Sequence, residues 1–348
     1  MSETAPIVLE LQTLLGKRPD LKSSIEQSIT KTNMPQHFSD LSTFYDFIAA
    51  SVVQIPKNSK SMLQQDLVYF YMLSISPEQI LLNDAEFQLW NTKFNDTWGE
   101  FLDTEKSVGH LDTYIKDENF KIDQFQRGPS GWHSFNQFFA RQIKPGLRPL
   151  TDTCDASVVS SPCDFIIMEA DTIRHDSNLT AKEATFSIKE LLKDSEYKDA
   201  FADGLYLSGF LQMFDYHRFH TPVAGKVVEA RKIPGKVGVT VERDGDVLTP
   251  KPKKGFQFTQ DRGLMILDCN EMGLVALLPV GMAQISSVVI TAEVGVELRR
   301  GEEFGYFQFG GSNMIVLTQK GRFKFDQNSL GRPIKQGESI GSVLPAGS

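Results

Sequence analysis

The sequence predicts an α+β fold in which a helical N-terminal region precedes a β-rich region. Up to about residue 125, glycine is scarce and apolar residues recur at three- and four-residue spacing, as on one face of a helix. From about residue 150, short β-branched runs alternate with Gly and Pro, which is typical of strands joined by turns. We therefore predict a helical domain over residues 1–125 and a second, β-rich domain over residues 126–348.

The N-terminal elements are predicted from their helical periodicity. Three segments carry it: LSTFYDFIAASVV, QQDLVYFYMLSI and AEFQLWNTKFNDTWGEFLDT. The polar stretch of residues 116–131 ends in Gly-Pro-Ser-Gly and is the best boundary between the two domains. After it, SFNQFFARQI is predicted to form a short helix that Pro145 stops.

The second domain is predicted to contain strands and one clear helix. The strands are ASVVSSP, FIIMEA, GKVVEARKI, GLMILD and MIVLTQKG, and the helix is SIKELLKDSEYKDAF. Ser187 opens that helix and Glu190 follows three residues later, as in a capping box. Residues 273–292 are apolar enough to merit a membrane check. They contain Pro279, Gly281 and Gln284, so two buried strands around a turn are expected there.

An internal repeat lies near the C-terminus. GVELRRGEEFGYF, from Gly295, matches GRPIKQGESIGSV, from Gly331, in the order of its Gly, basic and Gly-Glu positions. Two such hairpin-like units predict a pseudo-symmetric β-sandwich, similar to a lipoyl- or biotinyl-carrier fold. Neither unit has the modifiable lysine that a carrier would show at a hairpin tip, so the repeat indicates architecture only.

Composition excludes several functional classes. The 348 residues are 41% hydrophobic and 23% charged, as in a soluble globular protein. A net charge of −8 argues against a nucleic-acid partner and against adhesion to anionic lipid. Cys154, Cys163 and Cys269 lack metal-site spacing and are odd in number, which favours reduced thiols in the cytoplasm. The N-terminus lacks the basic and apolar pattern of a signal peptide, and no transmembrane segment is expected.

The stretch FGGSNMIVL, residues 309–317, places Gly-Gly-Ser directly before an apparent buried strand. A tight turn would explain the glycines, since glycine reaches backbone angles that other residues avoid. The chemical alternative is that Ser312 must be approached closely. Asp164 is the second candidate, because SSPCDFIIM puts an acid at the start of an apolar strand. Burying that acid is costly unless a partner compensates it, although a surface turn is equally consistent with the pattern.

The third candidate is the pair His217 and His220 in DYHRFHTPVAGKV. The pair could be structural, could bind a metal, or could transfer protons, but no HExxH motif or carboxylate cluster supports a metal. Asp164, His220 and Ser312 together offer an acid, a base and a nucleophile. An ordinary serine hydrolase is disfavoured, because Met314 stands where the GxSxG motif needs its last glycine.

These motifs resemble the phosphatidylserine decarboxylase family. The resemblance rests on RRGEEFGYFQF followed by GGSN, on DYHRFHTPVAG, on SPCDF and on FFARQIKPGLRPL, and it covers roughly residues 132–348. It implies that residues 126–348 form a catalytic domain of that type. Residues from about 40 to 105, especially FNDTWGEFL, resemble the helical extension of a soluble branch that includes a fungal L-tryptophan decarboxylase.

The resemblance implies an enzyme that matures by cutting itself between Gly311 and Ser312. Ser312 Oγ would attack the carbonyl of Gly311, with His220 taking the proton and Asp164 orienting the imidazole. The ester would eliminate to dehydroalanine and hydrolyse, leaving a β chain of residues 1–311 and an α chain of residues 312–348 that begins with a pyruvoyl group. That covalent cofactor would form a Schiff base with the substrate amine and release carbon dioxide, with His217 acting in decarboxylation. Glycine at 311 then permits the attack.

Two positions depart from the family pattern. Asn313 replaces the usual Thr or Ser after the cleaved serine, and Asp164-Phe165 replaces the usual Asp-Gly, so the shape of the site is expected to differ. The resemblance also implies a homo-oligomer such as a dimer.

The substrate divides the remaining hypotheses. A free L-amino acid, aromatic or not, is the main expectation, because of the soluble-branch extension and the absence of a basic amphipathic N-terminal helix. The alternative is phosphatidylserine, which would be converted to phosphatidylethanolamine in phospholipid biosynthesis. A non-enzymatic β-sandwich binding protein is a third possibility, and it predicts an unbroken chain where both enzyme hypotheses predict two.

Overall fold

The computed structural model describes residues 5–181, 184–251, 255–282 and 288–344. Within them the helices lie mainly before residue 140 and the strands after it, as the sequence predicts. The α-helices are α1 Pro6–Lys17, α2 Pro19–Thr32, α3 Leu41–Ser51, α4 Lys60–Ser74, α5 Ile80–Asn83, α6 Ala85–Leu102, α7 Asp112–Ile115, α8 Phe135–Phe139 and α9 Ile188–Leu192.

The strands form one large sheet and several small ones. They are β1 Val158–Ser160, β2 Phe165–Thr172, β3 Asn178–Ala181, β4 Ala184–Ser187, β5 Leu205–Leu211, β6 Arg218–His220, β7 Gly225–Ile233, β8 Val241–Asp244, β9 Val247–Pro250, β10 Arg262–Asp268, β11 Leu274–Met282, β12 Val288–Ile290, β13 Glu297–Leu298, β14 Glu303–Phe307, β15 Gly311–Thr318, β16 Phe323–Phe325, β17 Pro333–Ile334 and β18 Ser339–Val343.

The three long helices predicted in the N-terminal region are confirmed as α3, α4 and α6. Each begins at a polar cap whose side chain accepts a hydrogen bond from a backbone N–H of the first turn. Asp40 and Thr43 form a full capping box on α3, Ser59 caps α4, and Asp84 caps α6. Their apolar faces, together with those of α1 and α2, bury a hydrophobic core that extends to Phe94 on α6.

The large sheet is antiparallel and has eight strands in the order β13-β7-β10-β11-β15-β5-β2-β17. Strand β15, which Gly311 begins, is central and pairs with β11 on one side and β5 on the other. Two three-stranded sheets, β12-β14-β6 and β1-β18-β16, and the hairpins β3-β4 and β8-β9 complete the β region. The sheet therefore carries Ser312 in its interior.

The sequence repeat near the C-terminus has a structural counterpart. Its two short strands, β13 and β17, lie at opposite edges of the large sheet, and its two longer strands, β14 and β18, are each the middle strand of a three-stranded sheet. The backbone contacts also match, because Thr221 and Ser161 each exchange two hydrogen bonds with the Gly-Glu of one repeat. These bonds are Thr221 N–H to Glu302 O, Gly301 N–H to Thr221 O, Ser161 N–H to Glu338 O and Gly337 N–H to Ser161 O.

Backbone hydrogen bonds join residues 160–162 to residues 220–222 near the candidate site. His220 N–H donates to Pro162 O at 2.7 Å, and Ser160 N–H donates to Pro222 O at 2.9 Å. The turn that leads to Asp164 and the strand that carries His220 are therefore fixed against each other through the backbone.

Two predicted elements differ in extent or are only partly described. The helix opened by Ser187 is only α9, because Lys193 leaves helical angles and Asp194 has a positive φ of 60°. Ser187 Oγ does accept from Glu190 N–H, as expected for the cap. Residues 273–292 form strands β11 and β12, and the predicted turn between them lies outside the described residues. Across the described segments, the helices are too short or too polar to cross a bilayer.

The helical and β regions share their boundary. From Trp98 onward, side chains of the N-terminal region pack into the same core as Phe219, Met314 and other residues of the sheets. In the other direction, Val241 and Leu248 of the β8-β9 hairpin pack into the helical core. The N-terminal region therefore forms one wall of the structure around Ser312.

Candidate active site

Ser312 is wholly buried at the beginning of β15. It pairs with Gly281 of β11 and Leu211 of β5, so its backbone is held in the middle of the large sheet. Its Oγ lies 3.2 Å from Nδ1 of His217. The residue two positions earlier, Gly310, has a φ of 144°, which side-chain-bearing residues rarely adopt. Glycine at position 310 thus allows a backbone conformation, just before Gly311 and Ser312, that a larger residue would rarely adopt.

His217 has the geometry of a neutral proton acceptor. Its Nε2 lies 3.3 Å from Met213 O, and since a carbonyl only accepts, Nε2 carries the proton and Nδ1 faces the Ser312 hydroxyl with a free lone pair. The Phe139 ring stacks on the imidazole at 4.0 Å. Burial, aided by the nearby positive charge of Arg141, lowers the pKa of His217 to about 3. The ring is therefore uncharged at neutral pH.

His220 occupies a different position. Its Nδ1 donates to Gly301 O at 2.9 Å, which leaves Nε2 to accept from the Tyr216 hydroxyl at 3.0 Å. Burial lowers the pKa of His220 to about 4. Both ring nitrogens of His220 therefore bond to neighbouring groups, and the structure brings His217, not His220, to Ser312.

Asp164 has the compensating partner that its buried position requires. Arg148 donates to both carboxylate oxygens, at 2.9 and 2.6 Å, and Gln336 N–H donates at 2.8 Å. This two-pronged pair is nearly inaccessible to solvent on both sides. In the described structure the carboxylate makes these bonds and none to His220. The structure thus places the predicted acid at the rim of the site, tied to an arginine of the FFARQIKPGLRPL motif.

Sequence reasoning missed three residues around these groups. Asp215, in the DYHRFH motif, accepts from Gln212 N–H at 2.7 Å, and burial raises the pKa of its carboxyl to about 6. Arg141 lies 4.1 Å from the Phe125 ring and donates to Phe214 O at 2.7 Å, while burial lowers its pKa to about 9. An arginine within the aromatic FFAR run was the available signal for this cation–π cluster. In the sequence, Tyr216 stands out only as an aromatic residue next to the histidines, and its hydrogen bond to His220 was not predicted.

Two cavities are lined by neighbours of the histidines, although neither histidine lines them. One, of about 200 Å³, is lined by Asp164, Arg148, Asp215 and Tyr216, and so lies on the His220 side. The other, of about 160 Å³, is lined by Met213 and Phe309 and lies on the His217 side.

A family model described as phosphatidylserine decarboxylase matches residues 135–342. Similar curated proteins include phosphatidylserine decarboxylase proenzyme 2 of Komagataella phaffii, which is 31% identical over 74% of this chain and 26% of its own length. Phosphatidylserine decarboxylase proenzymes of Clostridium botulinum and Fusobacterium nucleatum are 30% and 28% identical. These bacterial relatives are covered over 85% and 83% of their lengths, with 72% and 71% of this chain aligned. The chain spans only 26% to 44% of the fungal and plant relatives that it matches.

Proposed function

Because this chain belongs to the phosphatidylserine decarboxylase family, we propose that it is a pyruvoyl-dependent decarboxylase that cuts its own backbone between Gly311 and Ser312. The observation that carries the proposal is the 3.2 Å contact between the buried Ser312 hydroxyl and the unprotonated nitrogen of a neutral imidazole. A hydroxyl paired with such a base is an activated nucleophile. The products are chains of residues 1–311 and 312–348.

His217 takes the proton of Ser312 in this proposal. The Ser312 oxygen then forms a bond to the carbonyl carbon of Gly311, the amide bond between them breaks, and the proton passes from His217 to the freed nitrogen. The resulting ester eliminates the Gly311 carboxylate, which separates the chains, and the dehydroalanine left at 312 takes up water and loses ammonia to become the pyruvoyl group. Glycine at 310 and 311 leaves the approach to that carbonyl free of side chains. His217 sits directly at Ser312, so the geometry supports it, in place of His220, as the base of self-cleavage.

His220 and Asp164 act as positioning residues. Tyr216 and Gly301 hold the His220 ring, and Arg148 holds Asp164. The backbone bond from His220 to Pro162 joins the two groups across the site. Their contribution is to fix the loop of residues 212–216, which carries the Met213 carbonyl that sets the tautomer of His217.

The surroundings of position 312 fit a pyruvoyl group. Ser312, from which that group would derive, is buried beside a base and preceded by glycine. Such a group supplies an electrophilic carbonyl that takes up the substrate amine and accepts electrons as carbon dioxide leaves. We assign to Nδ1 of His217, which faces position 312, the proton that the substrate ammonium must lose before its amine reacts, and the return of that proton to the substrate carbon after carbon dioxide leaves. Burial by Phe139 excludes water from that imidazole.

The proposed substrate is phosphatidylserine. The names of the similar proteins support this lipid better than the free aromatic amino acid that the N-terminal extension suggested. A membrane-spanning helix is not needed for this reaction, because an enzyme at the bilayer surface reaches a lipid headgroup.

Replacement of Ser312 by alanine tests the proposal. Denaturing electrophoresis of the purified parent is expected to give two chains, and the Ser312→Ala protein is expected to remain whole. Ser329→Ala is the matched control, because Ser329 is also wholly buried and lies within the same small chain. Release of carbon dioxide should follow incubation of the cleaved parent with phosphatidylserine vesicles.

Two outcomes would count against the proposal. An unbroken parent chain with no carbonyl at position 312 favours the binding-protein hypothesis. Two chains that release carbon dioxide only from free aromatic amino acids preserve the self-cleavage but replace the lipid substrate.

A further inference from the structure

The backbone ahead of Ser312 contains two glycines, and the residues on both sides of them are held by hydrogen bonds. After the glycines, Ser312 pairs with both neighbouring strands of the large sheet. Before them, the backbone N–H of Phe309 donates to Oδ1 of Asn136 at 3.2 Å. Glycine has no side chain that packing could hold, and it has more conformational freedom than other residues. The path of the chain at Gly310 and Gly311 therefore depends on how firmly the flanking residues are held.

The amide of Asn136 on α8 is oriented so that its oxygen faces this segment. The residue is only 2% exposed. Its Nδ2 donates to Gly99 O at 3.2 Å and to Asp103 Oδ1 at 3.0 Å. Because a carbonyl and a carboxylate only accept and the Phe309 N–H only donates, this orientation of the amide alone satisfies all three partners. One buried side chain thus joins α8, the end of α6 and the chain ahead of the cleavage site.

The ring of Phe309 is held by the same two helices. It packs edge-on against Phe135 and Phe139 of α8, with ring centroids 4.9 and 5.4 Å apart, and against Trp98 of α6 at 5.7 Å. Such edge-to-face pairs favour one relative orientation of the rings. Phe139 also stacks on the imidazole of His217. Helix α8 therefore contacts both the segment that would be cut and the base that would act on it.

We propose that Asn136 is a positioning residue for self-cleavage. Supported by Asp103, it holds the backbone at Phe309 so that the carbonyl carbon of Gly311 stays within reach of Ser312 Oγ. This inference rests on the proposed function. Asn136 contacts none of the reacting atoms and acts only through the position of the chain. Position matters to the rate, because a displacement of about 1 Å at reacting atoms can slow a reaction about a hundredfold.

The inference gives the helical region a part in maturation. Asp103 directly follows α6 and lies outside residues 135–342, which the family model matches, whereas Asn136 and Ser312 lie inside. The matched region thus supplies the groups that react, and the end of α6 supports the amide that positions them.

The test compares Asn136→Ala with the control Asn91→Ala. Asn91 is also a buried asparagine of the helical side that bonds to the β region, but its partner there is Val237 and not the segment before Ser312. The rate at which the small chain appears after refolding is read by denaturing electrophoresis. We expect Asn136→Ala to slow self-cleavage by about 10- to 100-fold, because the Gly311 carbonyl is no longer held at the hydroxyl. Asn91→Ala should cleave at nearly the parent rate.

A second pair of variants changes only exposed residues, so that folding is preserved. Asp103→Ala should slow self-cleavage by about fivefold, the equivalent of one ordinary hydrogen bond, since Asn136 keeps its bond to Gly99. Glu105→Ala is the control, because Glu105 is an exposed acid two residues further along the same segment. It should leave the rate unchanged.

Decarboxylation by the matured protein separates positioning from a general structural role. Once the bond ahead of Ser312 has broken, residues 309–311 end a separate chain and no longer present the carbonyl that is attacked. After complete cleavage, Asn136→Ala should therefore show the parent kcat and KM. They are measured with phosphatidylserine vesicles, or with a free aromatic amino acid if the parent leaves the vesicles unchanged.

Three results would overturn the inference. They are cleavage of Asn136→Ala at the parent rate, an equal slowing in Asn91→Ala, and a kcat of the matured Asn136→Ala protein that falls as far as its cleavage rate. If Asn136→Ala does not fold, equal cleavage rates in Asp103→Ala and Glu105→Ala overturn it instead. A parent protein that does not cleave at all contradicts the proposed function and not this inference.

Discussion

Two regions of this molecule bury polar side chains, and the buried groups differ in their chemistry. One is the junction between α6 and the chain that leads into β8, where the buried groups are the amides Asn91 and Gln88. The other is the candidate site, where the buried groups are His217 and Ser312. The comparison separates polar burial that holds a fold together from polar burial that prepares a reaction.

At the junction, each amide is paired through both its oxygen and its nitrogen. Asn91 accepts from the Tyr69 hydroxyl at 2.8 Å and donates to Val237 O at 2.7 Å. Gln88 donates to Leu81 O at 2.8 Å and accepts from Val237 N–H at 3.1 Å. These groups do not titrate, and their bonds connect fixed backbone positions of the two regions. Their role is to attach the helices to the β region.

At the site, the buried groups include a base and a nucleophile. His217 keeps an unprotonated nitrogen in a place where burial opposes its charge, and that nitrogen faces a hydroxyl. Such an arrangement contributes less to stability than an amide network, because a titratable group in an apolar site loses hydration. Perturbed pKa values of this kind cluster at functional sites. The contrast teaches that burial of a polar side chain does not by itself indicate a functional site. A buried group that can titrate or act as a nucleophile does.

The largest effect is expected from replacing His217. His217→Gln should slow self-cleavage by about 10²- to 10⁴-fold, because it removes the proton acceptor. His220→Gln is the matched comparison and should slow it less, since its ring nitrogens bond to Tyr216 and Gly301. The rate of appearance of the small chain after refolding measures both. A larger loss in His220→Gln would restore the assignment implied by the family resemblance.

The next effect concerns the junction. Asn91→Ala should lower the free energy of unfolding by about 2–4 kcal/mol, because it leaves the Tyr69 hydroxyl and the Val237 carbonyl buried without partners. Urea unfolding in the Ser312→Ala background keeps the chain whole during the measurement. Asn83→Ala is the control, because Asn83 is exposed although it also contacts the β region through Lys236. Equal losses of unfolding free energy in both variants would show that the buried amide network does not stabilise the junction more than an exposed contact does.

The third effect is the pH dependence that His217 imposes on stability. Its folded pKa of about 3 lies below the ordinary value of 6.5, so the unfolded chain binds a proton that the folded chain does not. Stability should therefore fall as pH drops below about 6.5, by about 1.4 kcal/mol per pH unit from this residue. The measurement is the free energy of unfolding at several pH values for the Ser312→Ala protein and for the Ser312→Ala/His217→Gln protein. The difference between the two gives the pH dependence that His217 causes. A difference independent of pH would contradict the buried, neutral imidazole.

The smallest effect is expected on the surface. Lys116 pairs with Asp112 at 2.9 Å on α7 and its neighbouring turn, and both side chains are exposed. Lys116→Ala should change the free energy of unfolding by less than about 0.5 kcal/mol, because solvent and salt screen such a pair. Urea unfolding gives the value, and a loss comparable to that of Asn91→Ala would indicate an unrecognised contact.

Periodicity and turn residues predicted much of the fold. The three long helices, strands β11 and β12 and the repeat near the C-terminus all follow from local patterns that survive folding, although Pro279 lies within β11. The length of helix α9 was overestimated. The residues after Lys193 continue the helical pattern in the sequence, but Asp194 adopts a positive φ angle that ends the helix. The packing of the β8-β9 hairpin into the helical core joins distant segments and has no local signature.

The site was predictable in its members but not in its pairings. Ser312, His217, His220 and Asp164 stood out as reactive types in a suggestive context. The choice between the two histidines depends on the path of the chain at residues 212–216, since one turn of the backbone decides which ring faces Ser312. The partner of Asp164 is Arg148, sixteen positions earlier, and nothing local marks that pairing.

The central position of β15 has a consequence for the protein after maturation. If the proposed cleavage breaks the backbone ahead of Ser312, the short C-terminal polypeptide still places β15 between β11 and β5 and β17 at one edge of the same sheet, and it contributes β16 and β18 to a three-stranded sheet. Its departure would require the large sheet to open along three ladders, β15 with β11, β15 with β5, and β17 with β2. The nicked molecule should therefore migrate as one particle under native conditions, and a labelled synthetic copy of the short polypeptide should fail to exchange into it until denaturant is added.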